Sequence, residues 1–425
     1  MKIYLKTIIV CSIFFSAGCS KLPWKGDDGR SQKGSSNMGD LALQNSENED
    51  VQVDQLYGLH TKQGAQIDSH KEDIQFLESK IDSIGSDVAM IMSLLKDMQQ
   101  KFDDSGSFSN DSTAVKVVGE MAQLQMKVKL NKDRVFLMVG NLGTPQNNAV
   151  FKSQEEKNVP NLFPLSAARS MTDPLHRLKF GALSTYYDQS RAGVKWAVEE
   201  QGKSRICVLY QDTDFGQEIY DAVFDQLAAM NMEIIEKATN KPTDTDLTSQ
   251  ITKLRNANCE VIAMGTIVKD TILGYTKARQ MGWSDVMFVG QVASYHPVIA
   301  SQPDGITDGF YAFAQFPSPD KDSCSKNVCD WIDRYEDKFG NSPNIGSAYG
   351  YQYMDLTAKA LEIAGKDLTV DSFIEALESI KDYKIPFGET VLSFGPDKHL
   401  GSNESYLFMV KDGSFVQMDD KNYSY

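Results

Sequence analysis

Few residues in this 425-residue chain are spaced as a catalytic constellation requires. Asp244-x-Asp246-x-Thr248 has the outline of a phosphoryl-transfer nucleophile motif. Such a carboxylate must be presented by an apolar strand, and Asn240-Lys241-Pro242-Thr243 before it is a loop. Asp246 or Thr245 therefore reads as the cap of the next helix. The five His residues are scattered, with no HExxH and no Ser/His pairing suggested by spacing. Gly143-Thr144 opens a helix as a phosphate-binding loop does, but the Lys that would neutralise a phosphate is absent. The reading is not an enzyme, with no cofactor and no metal.

The cysteines carry the remaining covalent chemistry. Cys324 and Cys329 lie close together in the polar stretch 317–330, which suits a small disulfide loop in an oxidising compartment. Cys207 and Cys259 stand at strand starts and are expected to be buried free thiols. Cys11 and Cys19 belong to a different kind of segment.

Lys2 and Lys6 precede the apolar run Ile8 to Phe15, followed by Ser16-Ala17-Gly18-Cys19. A basic start, a short apolar run and small residues describe a secretory signal rather than a span. Cys19 at the end of that box resembles a bacterial lipoprotein signal. The resemblance implies lipidation of Cys19, palmitate-type acyl chains and a membrane tether, and Ser20 after it favours the outer membrane. The other reading is a plain thiol in an ordinary signal. Each buried methylene contributes about 0.8 kcal/mol, so several acyl chains hold a protein to a membrane.

Residues 20–50 are rich in Gly, Ser, Asn and Asp and read as a disordered tether. A heptad pattern follows over 51–103. Its a positions are Val53, His60, Ile67, Ile74, Ile81, Val88, Leu95 and Phe102, and its d positions are Leu56, Gln63, His70, Leu77, Ile84, Ile91 and Met98. Twelve of these fifteen are apolar, which predicts a coiled coil. β-Branched residues at both a and d favour a trimer over a dimer. Polar His60, Gln63 and His70 set register at a solvated end. Residues 104–130 read as a joint (Asp103 to Asp111) followed by an amphipathic helix, Ala114 to Leu130.

The net charge of −15 disfavours nucleic-acid phosphates and anionic membrane surfaces as partners. No run of 18 apolar residues is present to span a bilayer. From residue 131 to 425, strand-like runs alternate with amphipathic stretches. The runs are Val135 to Val139, Ile206 to Tyr210, Met232 to Ile235, Val261 to Met264 and Val286 to Val289. The stretches are Gln217 to Ala229, Leu247 to Asn256 and Thr271 to Met281. The alternation predicts the α/β class, with parallel sheets and ligands at the carboxyl ends of strands.

Four linked runs carry a family resemblance: Val139-Gly140-Asn141-Leu142-Gly143-Thr144-Pro145; Val159-Pro160-Asn161-Leu162-Phe163; Val208-Leu209-Tyr210-Gln211-Asp212-Thr213-Asp214-Phe215-Gly216; and Ala278-Arg279-Gln280-Met281-Gly282-Trp283. In this order they resemble the branched-chain amino-acid-binding proteins, that is, the type I periplasmic binding proteins. The resemblance implies a two-lobed fold that hands a small polar solute to an ATP-binding-cassette permease from the periplasm. It implies ligand contacts from Asn141, Gly143, Thr144, Ser166, Ala167, Ala168, Phe215, Gln291, Ser294 and Tyr351. Gly143 and Thr144 at a helix start would offer backbone N–H groups and a hydroxyl to a carboxylate. Phe215 keeps an aromatic wall where the family usually has Tyr. Val292 stands at the place of the family's acid for a ligand ammonium.

The resemblance also exposes an absence. The family's first lobe begins with strand, helix, strand and helix before the element matching Val135 to Val139, and the coiled coil and Ala114 to Leu130 stand there instead. The first lobe is therefore expected to be incomplete, with an edge needing cover. Two functions follow. One is a membrane-tethered periplasmic solute-binding protein for an amino acid or similar solute. The other is an oligomeric envelope lipoprotein that reuses the fold as a protein-interaction scaffold.

Overall fold

The computed structural model describes residues 125–425. The signal segment, Cys19, the tether, the coiled coil and the joint lie outside the described residues. Among the described residues, no helix is long and apolar enough to cross a membrane.

Two sheets of unequal size organise the chain. The smaller has three short parallel strands in the order β1 (Met138–Val139), β2 (Asn161–Leu162) and β3 (Lys179–Phe180). Helix α1 (Thr144–Glu156) connects the first two. Leu400 adds a parallel bridge at Gly181, extending the β3 side. No described strand pairs with the outer edge of β1, in line with an incomplete first lobe. A helical turn ending in Lys129–Asp133 packs Met126 and Leu130 against Val135, Met138, Val150 and Val159. Packing of this lobe thus begins before residue 131.

The larger sheet has seven strands and follows α2 (Tyr186–Glu199). They are β4 (Ile206–Gln211), β5 (Glu236–Asn240), β6 (Val261–Gly265), β7 (Met287–Gly290), β8 (Phe310–Ala314), β11 (Tyr406–Lys411) and β12 (Ser414–Gln417). Their order is β12-β11-β8-β7-β6-β4-β5. The five from β8 to β5 run parallel, and β11 and β12 return antiparallel at the other edge. Helices α3 (Asp214–Ala229), α4 (Thr248–Asn256) and α5 (Val268–Gln280) cross between strands. All six residues of β4 are buried, as expected of a central parallel strand covered on both faces.

One expected strand shifts. The run Met232 to Ile235 is a connection, and β5 occupies Glu236–Asn240. Met232 N–H still closes the end of α3 on Leu227 C=O (2.8 Å), and pairing begins only when Ile235 N–H reaches Ile206 C=O (2.9 Å). β5 is an edge strand, so it can be charged on its open side, and the apolar run was the wrong marker.

The chain returns to the small sheet through α6 (Lys326–Phe339), α7 (Ile345–Ala364), α8 (Val370–Ser379) and the antiparallel pair β9 (Tyr383–Lys384) and β10 (Val391–Leu392). It therefore passes between the sheets three times, near residues 181–186, 315–345 and 400–406. These passages are tied together. Gln315 Nε2 donates to Ala182 C=O at 2.9 Å, and Ser184 Oγ donates to Asn403 C=O at 3.2 Å.

Both remaining cysteine pairs are disulfides. Cys324 joins Cys329, and Cys207 on β4 joins Cys259 just before β6. The free-thiol expectation for Cys207 and Cys259 is therefore corrected. Adjacent parallel strands bring their Cα atoms to 5.8 Å although 52 residues separate them, within ordinary disulfide reach.

Candidate functional site

The carboxyl ends of β1 and β2 converge where α1 begins. Gly143 caps α1 with φ +94°, a conformation that costs glycine little because it has no Cβ. Its N–H, expected from sequence to be offered to a ligand, instead donates to Leu165 C=O at 3.2 Å. Thr144 Oγ1 and Ser166 Oγ share a hydrogen bond of 2.8 Å, and both side chains are buried. Ala167 and Ala168 are buried beside them, with Ala168 N–H directed at Ser166 Oγ (3.4 Å). Thr144, Ser166 and Ala167 form a small polar cradle.

Asn141 stands behind it in a network of amides. Its Nδ2 donates to Asn161 Oδ1 (3.2 Å), and Asn161 Nδ2 donates to Asn147 Oδ1 (3.2 Å). Asn147 Nδ2 in turn donates to Asn141 C=O (3.0 Å) and Gly143 C=O (2.8 Å). The network fixes the turn that aims Thr144; Asn141 Oδ1 is buried without a partner among the described residues. Asn147, inside α1, and Asn161, on β2, were not named as site residues from sequence, because nothing local shows that two such amides meet.

From the larger lobe, Phe215 enters on the first turn of α3. Thr213 caps that helix through Gly216 N–H (3.4 Å). A Cβ at Gly216 would lie 1.9 Å from Gln211 C=O, so only glycine permits this tight return. Phe215 meets the ring of Tyr186 edge-on at 5.0 Å. Tyr186 is the first residue of α2, immediately after the first passage between lobes, and only 6% exposed. Burial pushes its phenol up to about 12, partly offset by the Ala167 backbone and the Ser166 side chain nearby.

Gln291 and Ser294 are buried, but they satisfy one another. Gln291 Oε1 accepts from Ala293 N–H (2.6 Å), and Ser294 Oγ accepts from Gln291 N–H (3.2 Å), a reciprocal cap of the turn Val292–Ser294. The residue that connects this turn to the hinge is Gln189. Its Oε1 accepts from Val292 N–H (2.8 Å), and its Nε2 donates to Ser184 C=O (2.6 Å).

Tyr351 does not join the cradle. It is 42% exposed and packs on Trp331 and Phe387 (5.6 and 5.8 Å) beside a surface cavity. Two residues along a helix turn the side chain by about 200°. The residues of α7 that point inward are Tyr349 and Tyr353, whose hydroxyls are buried without partners among the described residues. Burial raises both phenols well above the ordinary range, each reinforced by neighbouring phenols including Tyr186.

The rim is acidic. Arg169, Ser170 and Asp173 from the small lobe face Asp212, Asp214, Glu218 and Asp221 from the large lobe across an open groove of about 740 Å³. Glu218 takes the Arg169 backbone N–H at 2.8 Å and its guanidinium Nε at 3.3 Å. Asn148 Nδ2 reaches Asp214 Oδ2 (3.2 Å) in a second contact between lobes. Burial lifts the Glu218 carboxyl to about 7, against the pull of Arg169. Among the described residues, no cluster of His, Cys, Asp and Glu could hold a metal ion.

Comparison with known proteins matches this arrangement. A family profile described as "Periplasmic binding protein" covers residues 122–414. The Leu/Ile/Val-binding protein homolog 8 of Brucella abortus is 21% identical over 194 residues, 45% of this chain and 47% of that protein. The chain thus aligns with about half the length of the curated relatives it matches. A branched-chain amino-acid ABC transporter protein from Thermus thermophilus, solved with bound valine, has a TM-score of 0.65 at 14% identity. It covers 72% of this chain and 83% of its own. A fatty acid ABC transporter substrate-binding protein from Thermomonospora curvata has a TM-score of 0.63 at 18% identity, covering 72% and 78%. At those identities the likeness is one of fold. The three tied passages, the sheets they connect and the profile match make this chain a member of the type I periplasmic binding protein family, the fold group of the branched-chain amino-acid-binding proteins.

Proposed function

We propose that the chain is a periplasmic solute-binding protein, tethered to a bacterial membrane through Cys19, that closes two lobes over a small amino-acid-like solute and delivers it to an ATP-binding-cassette permease. The observation that carries this reading is the cradle of Thr144, Ser166 and Ala167, with Phe215 of the opposite lobe in the same buried cluster as Ala167, beside three hydrogen-bonded passages. Hinge closure about such passages buries a ligand between lobes. The relatives named above are described by branched-chain amino acids, bound valine and fatty acid, and a carboxylate is common to those ligands. The acidic rim attracts cationic groups, which suits an ammonium on the same solute. The test is thermal unfolding of the purified full chain with amino acids, amides, short organic acids and peptides. A ligand at 100 times its Kd stabilises by about 2.7 kcal/mol, enough to move the transition by several degrees. No response across the panel overturns the reading. Acylation is tested separately by palmitate labelling, which Cys19→Ser should abolish.

A second reading is an oligomeric envelope lipoprotein that uses the fold as a scaffold. It is favoured by the edge of β1, with which no described strand pairs, and by the internal pairing of Gln291 with Ser294. It requires self-association through residues 51–103, so a monomer in sedimentation sinks it.

A further inference from the structure

The turn Arg169–Met171 follows Ser166, Ala167 and Ala168 without a break, and it carries contacts that cross the groove. The Arg169 guanidinium lies 3.7 Å from the centre of the Tyr187 ring, and its Nε is 3.3 Å from Glu218 Oε1. Both partners belong to the large lobe, Tyr187 to the first turn of α2 and Glu218 to α3. The Tyr187 ring is itself fixed, since its hydroxyl donates to Asp225 Oδ2 at 2.5 Å. The next residue supports a second crossing. Ser170 Oγ donates to Asn148 Oδ1 (2.9 Å), and Asn148 Nδ2 donates to Asp214 Oδ2 (3.2 Å). Lys179 Nζ donates to Ser170 C=O at 3.0 Å, which ties the same turn to β3.

We infer that Arg169 is a positioning residue for solute binding: it bridges the lobes beside the cradle, and a solute is held there only as long as Arg169 stays seated on Tyr187 and Glu218. The inference rests on the solute-binding reading of this cleft and adds what keeps the closed form closed. A guanidinium suits the place because it is planar. It stacks on an aromatic face while an edge N–H meets a carboxylate. A Lys ammonium is a compact point charge and does one of these well but not both. The Glu218 side chain is only 10% exposed, so salt screens this pair less than a pair at the surface. Tyr187 comes directly after the passage at 181–186, so a change of angle there carries its ring away from Arg169. Cradle and bridge are parts of one short stretch of chain. A solute that steadies Ser166 to Ala168 therefore also steadies the residue that closes on the other lobe. Arg191 approaches the same ring at 5.5 Å, but it stands on α2 with Tyr187, within one lobe.

Amide exchange tests the bridge on the full chain without a solute, because Glu218 Oε1 also accepts the Arg169 backbone N–H at 2.8 Å. That donor remains in every variant at position 169. Corrected for the intrinsic rate of the new side chain, exchange there should accelerate about tenfold or more in Arg169→Ala. Arg169→Lys should recover part of the protection, Tyr187→Leu should lose it, and Arg191→Ala should leave it within about twofold. Val208, buried in β4, should keep its protection throughout. Should Arg169→Ala fail to fold, Arg169→Gln keeps the stem and removes the cation. Unchanged exchange at position 169 overturns the inference. Equal acceleration at Val208 overturns it too, since that is general destabilisation, and so does an Arg191→Ala effect as large as that of Arg169→Ala. A solute found by the panel should leave Arg169→Ala about fivefold faster, with association within about twofold. Equal dissociation rates overturn the inference while leaving the solute-binding reading intact. A panel with no response overturns that reading and the role of Arg169 in it, even where exchange shows the bridge.

Discussion

Gln189 Oε1 accepts the backbone N–H of Val292 at 2.8 Å, joining residues 103 positions apart. With its Nε2 on Ser184 C=O, this one buried amide holds the first passage between lobes against the turn after β7. Gln189→Leu leaves both backbone groups buried without a partner, and each such loss costs about 1–3 kcal/mol. The expected outcome is a fall of several degrees in unfolding temperature and faster exchange of the Val292 amide. Unchanged exchange at Val292 would count against the clamp.

Glu218 makes stability depend on pH. Its carboxyl is only 10% exposed and is held at about 7, above the ordinary value of 4.5. A raised carboxyl binds its proton more tightly in the folded state, so its contribution is fully present below about pH 4.5 and is lost as pH rises through 7. The loss is on the order of 3 kcal/mol. Glu218→Gln should flatten this part of the stability profile, measured by denaturant unfolding at each pH. A variant profile parallel to wild type contradicts the assignment.

The Cys207–Cys259 disulfide closes a separation of 52 residues, against 5 for Cys324–Cys329. Loop-closure entropy assigns about 4 kcal/mol to the first and about 2 kcal/mol to the second. Cys207→Ala with Cys259→Ala should therefore lower denaturant stability more than the corresponding change at Cys324 and Cys329. The opposite order would show that native-state packing outweighs loop length.

Tyr351 lies outside the cradle, so Tyr351→Ala should leave solute affinity within about twofold, a change of about 0.4 kcal/mol. It should lower stability modestly, about 1 kcal/mol, through lost contact with Trp331 and Phe387. A tenfold loss of solute affinity would return Tyr351 to the site.

The α/β class, the strands near 206, 261 and 287 and the family were legible because each rests on local pattern. Buried parallel strands are continuous apolar runs, and the turn motifs at Gly143 and Gly216 are dictated by backbone sterics within a few residues. The same locality limited the rest. Met232 to Ile235 had the composition of a strand, yet an edge position let the charged Glu236–Asn240 segment pair instead.

What the sequence determined by itself is the order of elements, the alternation that makes a parallel sheet, and the turns that aim Thr144 and Phe215. Tertiary structure decided which groups are spent on each other. The pairing of Cys207 with Cys259, the clamp of Gln189 on Val292 and the outward face of Tyr351 all join or separate residues through space. Hydrogen bonds and disulfides act over a few ångströms, and chain order does not fix which distant segments come that close.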